Sequence, residues 1–334
     1  MMKKLSCSAP GKIIIAGEHS VVYGYPSIVS AIDMRTKIDF TPVTRIEYEL
    51  KLNNKNIIIN SNDMDQFLDK TTREFPIFNR ILDLIEEKHE GSLKILDRNG
   101  FHVEITSSIP IGAGLGSSAT ICACLCKIFL EQFGIKMPEG DFLELSKNAE
   151  KFYHSKSSGV DTTAAIKGGA FLFQEGKIID KITSILKLDG DLLVVNTGIP
   201  RNTGKMVSGL KDLYNDKQEP VVARFEAISE IVNSIWKLFK SGNVSVKSLG
   251  SLLLNNQEEL AALELSINAI EKIIETSMNN GAEGGKLTGA GGGGCVLVTC
   301  LKENSNSVIN ALQKEGFEAN IVILDDKGII LDEK

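Results

Sequence analysis

The apolar positions near the start of the chain form a short run, Ile13 to Ile15, between Gly11 and Gly17. That pattern predicts a buried strand entering a loop at Gly17, Glu18 and His19. Further on, IEYELKLNNKNIIINS alternates apolar with polar residues and breaks at Asn53 and Asn54, as a hairpin would. Phe101, Val103 and Ile105 alternate up to Ser107, and Pro110 stops the strand because proline cannot donate to a ladder. The first third therefore reads as strand-rich.

Over 118–133 the apolar spacing changes to that of a helix, and a second helical pattern runs over 141–154. Small residues follow, and then GGAFLFQ reads as a turn into another strand. An apolar strand over 192–196 leads into NTGIPRNT. Beyond Pro220 the amphipathic VARFEAISEIVNSIWKLFK opens a region of several helices. That region closes with GGKLTGAGGGGCVLVTC, the helical SNSVINALQKEG and a strand over 319–324. The shift from mixed to helical pattern predicts two lobes, 1–190 and 191–334.

A chain of 334 residues with 43% apolar content has enough material for two such lobes. Its formal charge of -6 supplies no broad basic field, which argues against nucleic acid or anionic lipid as partner. A small phosphorylated ligand stays open, since a few amides and one lysine can hold phosphate. The basic start MMKK is followed by no apolar core of the kind a secretion signal needs, and no later run approaches the roughly 20 apolar residues of a membrane span. The six cysteines lack zinc-site or disulfide-scaffold spacing and read as reduced thiols in a cytosolic enzyme. Cys122 and Cys126 share a helix face and could grip a soft metal, but with no histidine nearby they read as packing residues.

The chemistry concentrates in PIGAGLGSSA, which spans Pro110, Gly112, Ala113, Gly114, Leu115, Gly116, Ser117, Ser118 and Ala119. Glycines at alternate positions let a backbone turn its N–H groups toward an anion, and the start of the following helix adds partial positive charge. A serine-capped flexible turn is the plainer reading of the same residues. The loop has no lysine after its last glycine and so differs from G-x-x-x-x-G-K-[ST]; a kinase built on it must draw its cation from elsewhere. Lys12 is the leading candidate, although a solvated strand end also accounts for it. Asp161, set among small residues in GVDTTAAIKGG, could line a pocket or cap a helix. Glu150 lies in a helical pattern and could equally face solvent.

PGKIIIAGEH, PIGAGLGSSA and KLTGAGGGGC occur in that order, and together they resemble the three motifs of the GHMP kinase superfamily over nearly the whole chain. Within it, GEHSVVYG, the segment Pro200, Arg201, Asn202 and Thr203, and NNQEELAALELS are similar to the mevalonate kinase branch. One departure stands out. Where many of that branch read H-G-x-P-S-G-[VI]-D, this chain reads His154, Ser155, Lys156, Ser157, Ser158, Gly159, Val160, Asp161, with serine in place of both the glycine and the proline.

The resemblance implies an α+β, two-lobed GHMP kinase fold, with an N-terminal lobe like domain 2 of ribosomal protein S5 and a ferredoxin-like C-terminal lobe. It implies ATP as co-substrate, Mg²⁺ held by Ser118 and Glu150, and mevalonate as phosphoryl acceptor. Asp161 would face the C5 hydroxyl as base or as orienting acceptor, with Lys12 paired to it. Glu18, His19 and Thr203 would contact the substrate. Mevalonate kinases are often homodimers, which adds a homodimer to the expectations. Rival readings are a superfamily member acting on another alcohol, such as phosphomevalonate or a sugar, and a nucleotide-binding regulator that has kept the fold without catalysis.

Overall fold

The strand Leu5–Ala16 is buried along most of its length because Ile13, Ile15 and Ala16 pack inward beside its ladder partners. In the computed structural model, which describes residues 2–55, 57–110, 112–152, 159–183 and 186–334, this strand lies near one edge of an eight-stranded sheet. It pairs antiparallel with the long strand Ser27–Val43 and, on its other side, with Ile330–Glu333. Gly100–Ser107, Tyr48–Leu52 and Ile57–Ser61 continue the sheet, and Ala170–Gln174 and Lys177–Ile182 extend the other end of Ser27–Val43. The hairpin around Asn53 forms as its pattern predicts, with Leu50 paired to Ile59.

Helices Ile77–Lys88, Ser117–Gln132 and Glu139–Glu150 cover this sheet over an aromatic core. Phe40 stacks on Phe101 at 5.2 Å between centroids and Phe129 meets Phe78 edge-on at 5.2 Å. Such contacts add roughly 0.5–1.5 kcal/mol per pair beyond the apolar area they bury. Cys122, Cys124 and Cys126 are packed inside the same helix layer, and burial pushes the Cys126 thiol up to about 12.

A second, antiparallel sheet has the order Ala282–Thr288, Cys295–Cys300, Asp191–Asn196, Glu318–Val322. Helices Val246–Ala262 and Asn268–Asn279 pack on it, and Gln218–Lys240 packs on Val246–Ala262. Gly250 makes this layer close: a Cβ there would stand 2.4 Å from the carbonyl oxygen of Glu283. The final strand, Ile330–Glu333, leaves this region and returns to the first sheet, a crossing that a simple division at residue 190 does not contain. Among the described residues no helix is long and apolar enough to cross a membrane.

Several elements escape the periodicity reading. Ser27–Val43 carries buried Ser27, Ser30 and Thr36, which blur its alternation. Helix Met64–Glu74 is short and its neighbour Ile77–Lys88 follows after a proline. Val160–Lys167 has only eight residues, mostly small and buried, so it shows no polar face.

Candidate active site

The register of Leu5–Ala16 shifts between Pro10 and Gly11, next to the glycine loop. A Cβ on Gly11 would stand 2.9 Å from the Leu115 carbonyl oxygen, and that same oxygen accepts the Lys12 amide at 2.9 Å. The missing side chain therefore lets the loop lie directly on the strand. In the loop, Gly112, Gly114 and Gly116 have φ of 73°, 86° and 83°, the left-handed region that other residues enter only at a cost. Gly116 is the N-cap of Ser117–Gln132, and among the described residues no side chain caps that helix. Its first-turn amides are left for a ligand, which a phosphate would satisfy.

Lys12 is 5% exposed in its side chain, and its Nζ lies 3.2 Å from Oδ1 of Asp161, which is 26% exposed. The lysine is thus held inside while the carboxylate reaches open space. Asp161 sits in the first turn of Val160–Lys167, behind Gly159 at φ 76°. Thr162, next to it, donates from Oγ1 to Oε2 of Glu150 at 2.6 Å. Glu150 is buried at the end of its helix, so this bond ties the two acids into one wall.

A cavity of about 360 Å³ opens over the loop. Pro110, Gly112, Gly114, Leu115, Gly116, Ser117, Ser118, Asp161, Arg201 and Thr203 line it, and Leu52, Phe75, Ile105 and Ile121 make one side apolar. Arg201 lies across the glycines: a Cβ on Gly114 would stand 2.5 Å from its Nη1, and one on Gly289 would stand 3.3 Å away. Among the described residues no carboxylate pairs with this guanidinium. Thr203 begins the helix Thr203–Asp216, whose N-cap Asn202 accepts the Lys205 amide at 2.9 Å.

The third motif backs this wall. Thr288 Oγ1 accepts the Ile14 amide at 2.9 Å and donates to the Ile14 carbonyl at 3.0 Å. A Cβ on Gly294 would stand 2.9 Å from the Ala113 carbonyl oxygen. His19, at φ 61°, places Nε2 2.8 Å from the Ala290 carbonyl oxygen. A carbonyl only accepts, so the Nε2–H form donates. Burial lowers the pKa of His19, with the Ala290 bond opposing. Glu18 is ion-paired to the fully buried Lys286. Burial pushes the Glu18 carboxyl up and Lys286 down, and their mutual attraction opposes both.

The structure thus gathers Asp161 and Thr203 with the loop residues around one cavity, and seats Lys12, paired to Asp161, and Glu150 behind that lining. Glu18 and His19 lie behind the wall rather than along the cavity lining. Loop residue Ala119 is buried in the first turn of the helix, and Ala113 is buried beneath the loop. The loop Ser155 to Ser158, with its substituted serines at 155 and 157, lies outside the described residues. Two residues gained weight that the sequence had not given them. Arg201 stood only as part of a familiar segment, and Lys286 was read only as a letter of the third motif. The strand Ala282–Thr288 also carries Glu283, so a charge among its small and apolar residues did not single Lys286 out.

Residues 77–169 match the GHMP kinases N terminal domain and residues 217–318 match the GHMP kinases C terminal domain. The chain is 30% identical over 340 residues to mevalonate kinase of Pyrococcus horikoshii, covering all of this chain and 99% of that protein. The chain belongs to the GHMP kinase family. This GHMP kinase is also 29% identical over 344 residues to mevalonate kinase of Thermococcus sibiricus, covering 99% of each. The crystal structure of the Methanococcus jannaschii mevalonate kinase superposes with a TM-score of 0.80 at 27% identity, covering 96% of this chain and 98% of that one. The α+β, two-lobed GHMP kinase architecture expected from the motifs is therefore the fold of this chain.

Proposed function

We propose that this GHMP kinase transfers the γ-phosphoryl group of ATP to the C5 hydroxyl of mevalonate, giving 5-phosphomevalonate and ADP. The observation that carries the reaction class is the Lys12–Asp161 pair facing a glycine loop at an uncapped helix start. The acceptor is supported by mevalonate kinases that match the chain from end to end.

The glycine loop and the first turn of Ser117–Gln132 hold the phosphates, and the apolar side of the cavity takes the purine. Asp161 accepts the hydrogen of the C5 hydroxyl, whose oxygen forms the new bond to the γ-phosphorus as the bond to the ADP oxygen breaks. Because such transition states are loose, Asp161 acts first by orienting the hydroxyl and receives its proton as the new bond forms. Lys12 and Arg201 face the charge spread over the transferring oxygens. Thr203 offers a hydroxyl on the acceptor side.

Ser118 and Glu150 would hold Mg²⁺. They supply one hydroxyl and one carboxylate, the hard oxygen donors that a phosphate-bound Mg²⁺ accepts in ones and twos. Bound there, the ion neutralises phosphate charge. In this reading residues 1–190 carry the phosphate loop and the catalytic residues, and 191–334 carry the substrate-side segment and the third glycine motif.

ADP release measured with mevalonate, phosphomevalonate, galactose and homoserine in parallel tests the assignment. Mevalonate alone should support turnover. Turnover with any other acceptor in preference, or with none, contradicts it.

A further inference from the structure

Glu18 and Lys286 stand 268 positions apart in sequence and meet in the interior. Lys286 is fully buried, as is Glu18 but for 1%. Burying two charges is costly, and a well-packed neutral pair is often as stable or more so. Stability alone therefore gives a weak reason for this pair. Its location gives a stronger one.

The lysine ammonium donates to Oε1 of Glu18 and to the Leu287 carbonyl oxygen, while the Leu287 amide donates to Oε1 of Gln257 at 2.9 Å. The other carboxylate oxygen, Oε2 of Glu18, has no hydrogen-bond partner among the described residues, although the Glu18 and Gly289 amides face the carboxylate closely enough to favour its charge. The residues on either side are the contacts that form the cavity wall. Glu18 leads into His19, held in a left-handed conformation on Ala290. Lys286 leads into Thr288 on Ile14, Gly289 under Arg201 and Gly294 against Ala113.

We propose that Lys286 is a positioning residue for phosphoryl transfer, its bond to Glu18 fixing the third glycine motif against the first and so seating Arg201 and the phosphate loop. The ammonium touches neither nucleotide nor acceptor. It acts through Leu287 to Gly294, where beyond Leu287 and Thr288 the run of glycines brings few side chains of its own to hold the backbone in place. A directional charged bond adds to the registration that Thr288 gives on Ile14, which apolar contacts alone do not supply. The inference rests on the kinase reading of the site.

The test uses the double variant Glu18→Gln/Lys286→Met, which leaves no unpaired buried charge, together with Glu18→Asp, which keeps both charges and withdraws the carboxylate by one methylene. Each is assayed with ATP and mevalonate beside the wild type, with melting temperature recorded. The double variant should melt with the wild type yet lose about tenfold or more in kcat, while KM for ATP moves less than about threefold, the pattern of lost transition-state geometry. Glu18→Asp should lose kcat in the same way. Wild-type kcat in a folded double variant, or in Glu18→Asp should the double variant fail to fold, overturns the proposal. An inactive wild type would count against the kinase reading instead.

Discussion

Nζ of Lys12 lies 3.2 Å from Oδ1 of Asp161, and the α-carbon of Gly116 closes over both. A Cβ at Gly116 would stand 3.3 Å from Cγ of Lys12 and 3.7 Å from Cβ of Asp161. The last glycine of the phosphate loop and the pair that acts on the acceptor are therefore one packed unit. Phosphate held by the loop is delivered to the place where Asp161 can orient a hydroxyl.

Asp161→Asn keeps the shape and removes the charge. Its kcat should fall by about 10²-fold or more, the usual contribution of a positioned base, while ATP affinity measured by calorimetry stays within a few-fold. Near-normal turnover would remove Asp161 from the chemistry.

Gly116→Ala forces a side chain into a left-handed backbone and against Lys12. The variant should lose roughly 1–2 kcal/mol of stability from the backbone alone and show a raised KM for ATP. Denaturant unfolding and steady-state kinetics check the two effects separately.

Arg201→Ala removes a cation that lies over Gly114 with no carboxylate partner among the described residues. A drop of about 10²-fold in kcat/KM is expected, the scale of one lost transition-state donor. Arg201→Lys should restore only part of it, because the ammonium lacks the planar fork. Full recovery with lysine would mean that only charge matters there.

Burial holds the pKa of His19 below its usual 6.5. Just below that pH the unfolded chain binds a proton that the native state refuses, so this group's contribution to stability falls as the pH drops through 6.5 and is intact above it. Asparagine tolerates a positive φ, so His19→Asn should fold and should lose less melting temperature than the wild type between pH 7.5 and 5.5. Parallel curves would show that His19 does not titrate in this way.

Much of the site was legible in the sequence because its chemistry is carried by backbone and by short motifs. Glycines at alternate positions in PIGAGLGSSA announce left-handed turns, and Gly112, Gly114 and Gly116 adopt them. Lys12 and Asp161, ambiguous alone, gained meaning from the motifs around them, and their contact is a tertiary fact that no spacing contains. Val160–Lys167, which carries Asp161, was not legible as a helix because small buried residues show no periodicity. Lys286 was missed because lysine is ordinarily a surface residue, and only a carboxylate from a distant strand end lets it lie inside. The return of Ile330–Glu333 to the first sheet was equally invisible, since a short strand does not say which sheet it joins.

The most direct test of the central claim is phosphorus NMR of the product formed from ATP and mevalonate. A new monoester resonance coupled to the protons on C5 should appear in step with ADP. Free inorganic phosphate as the only new phosphorus species, or a phosphoryl group on any other oxygen of mevalonate, would contradict it.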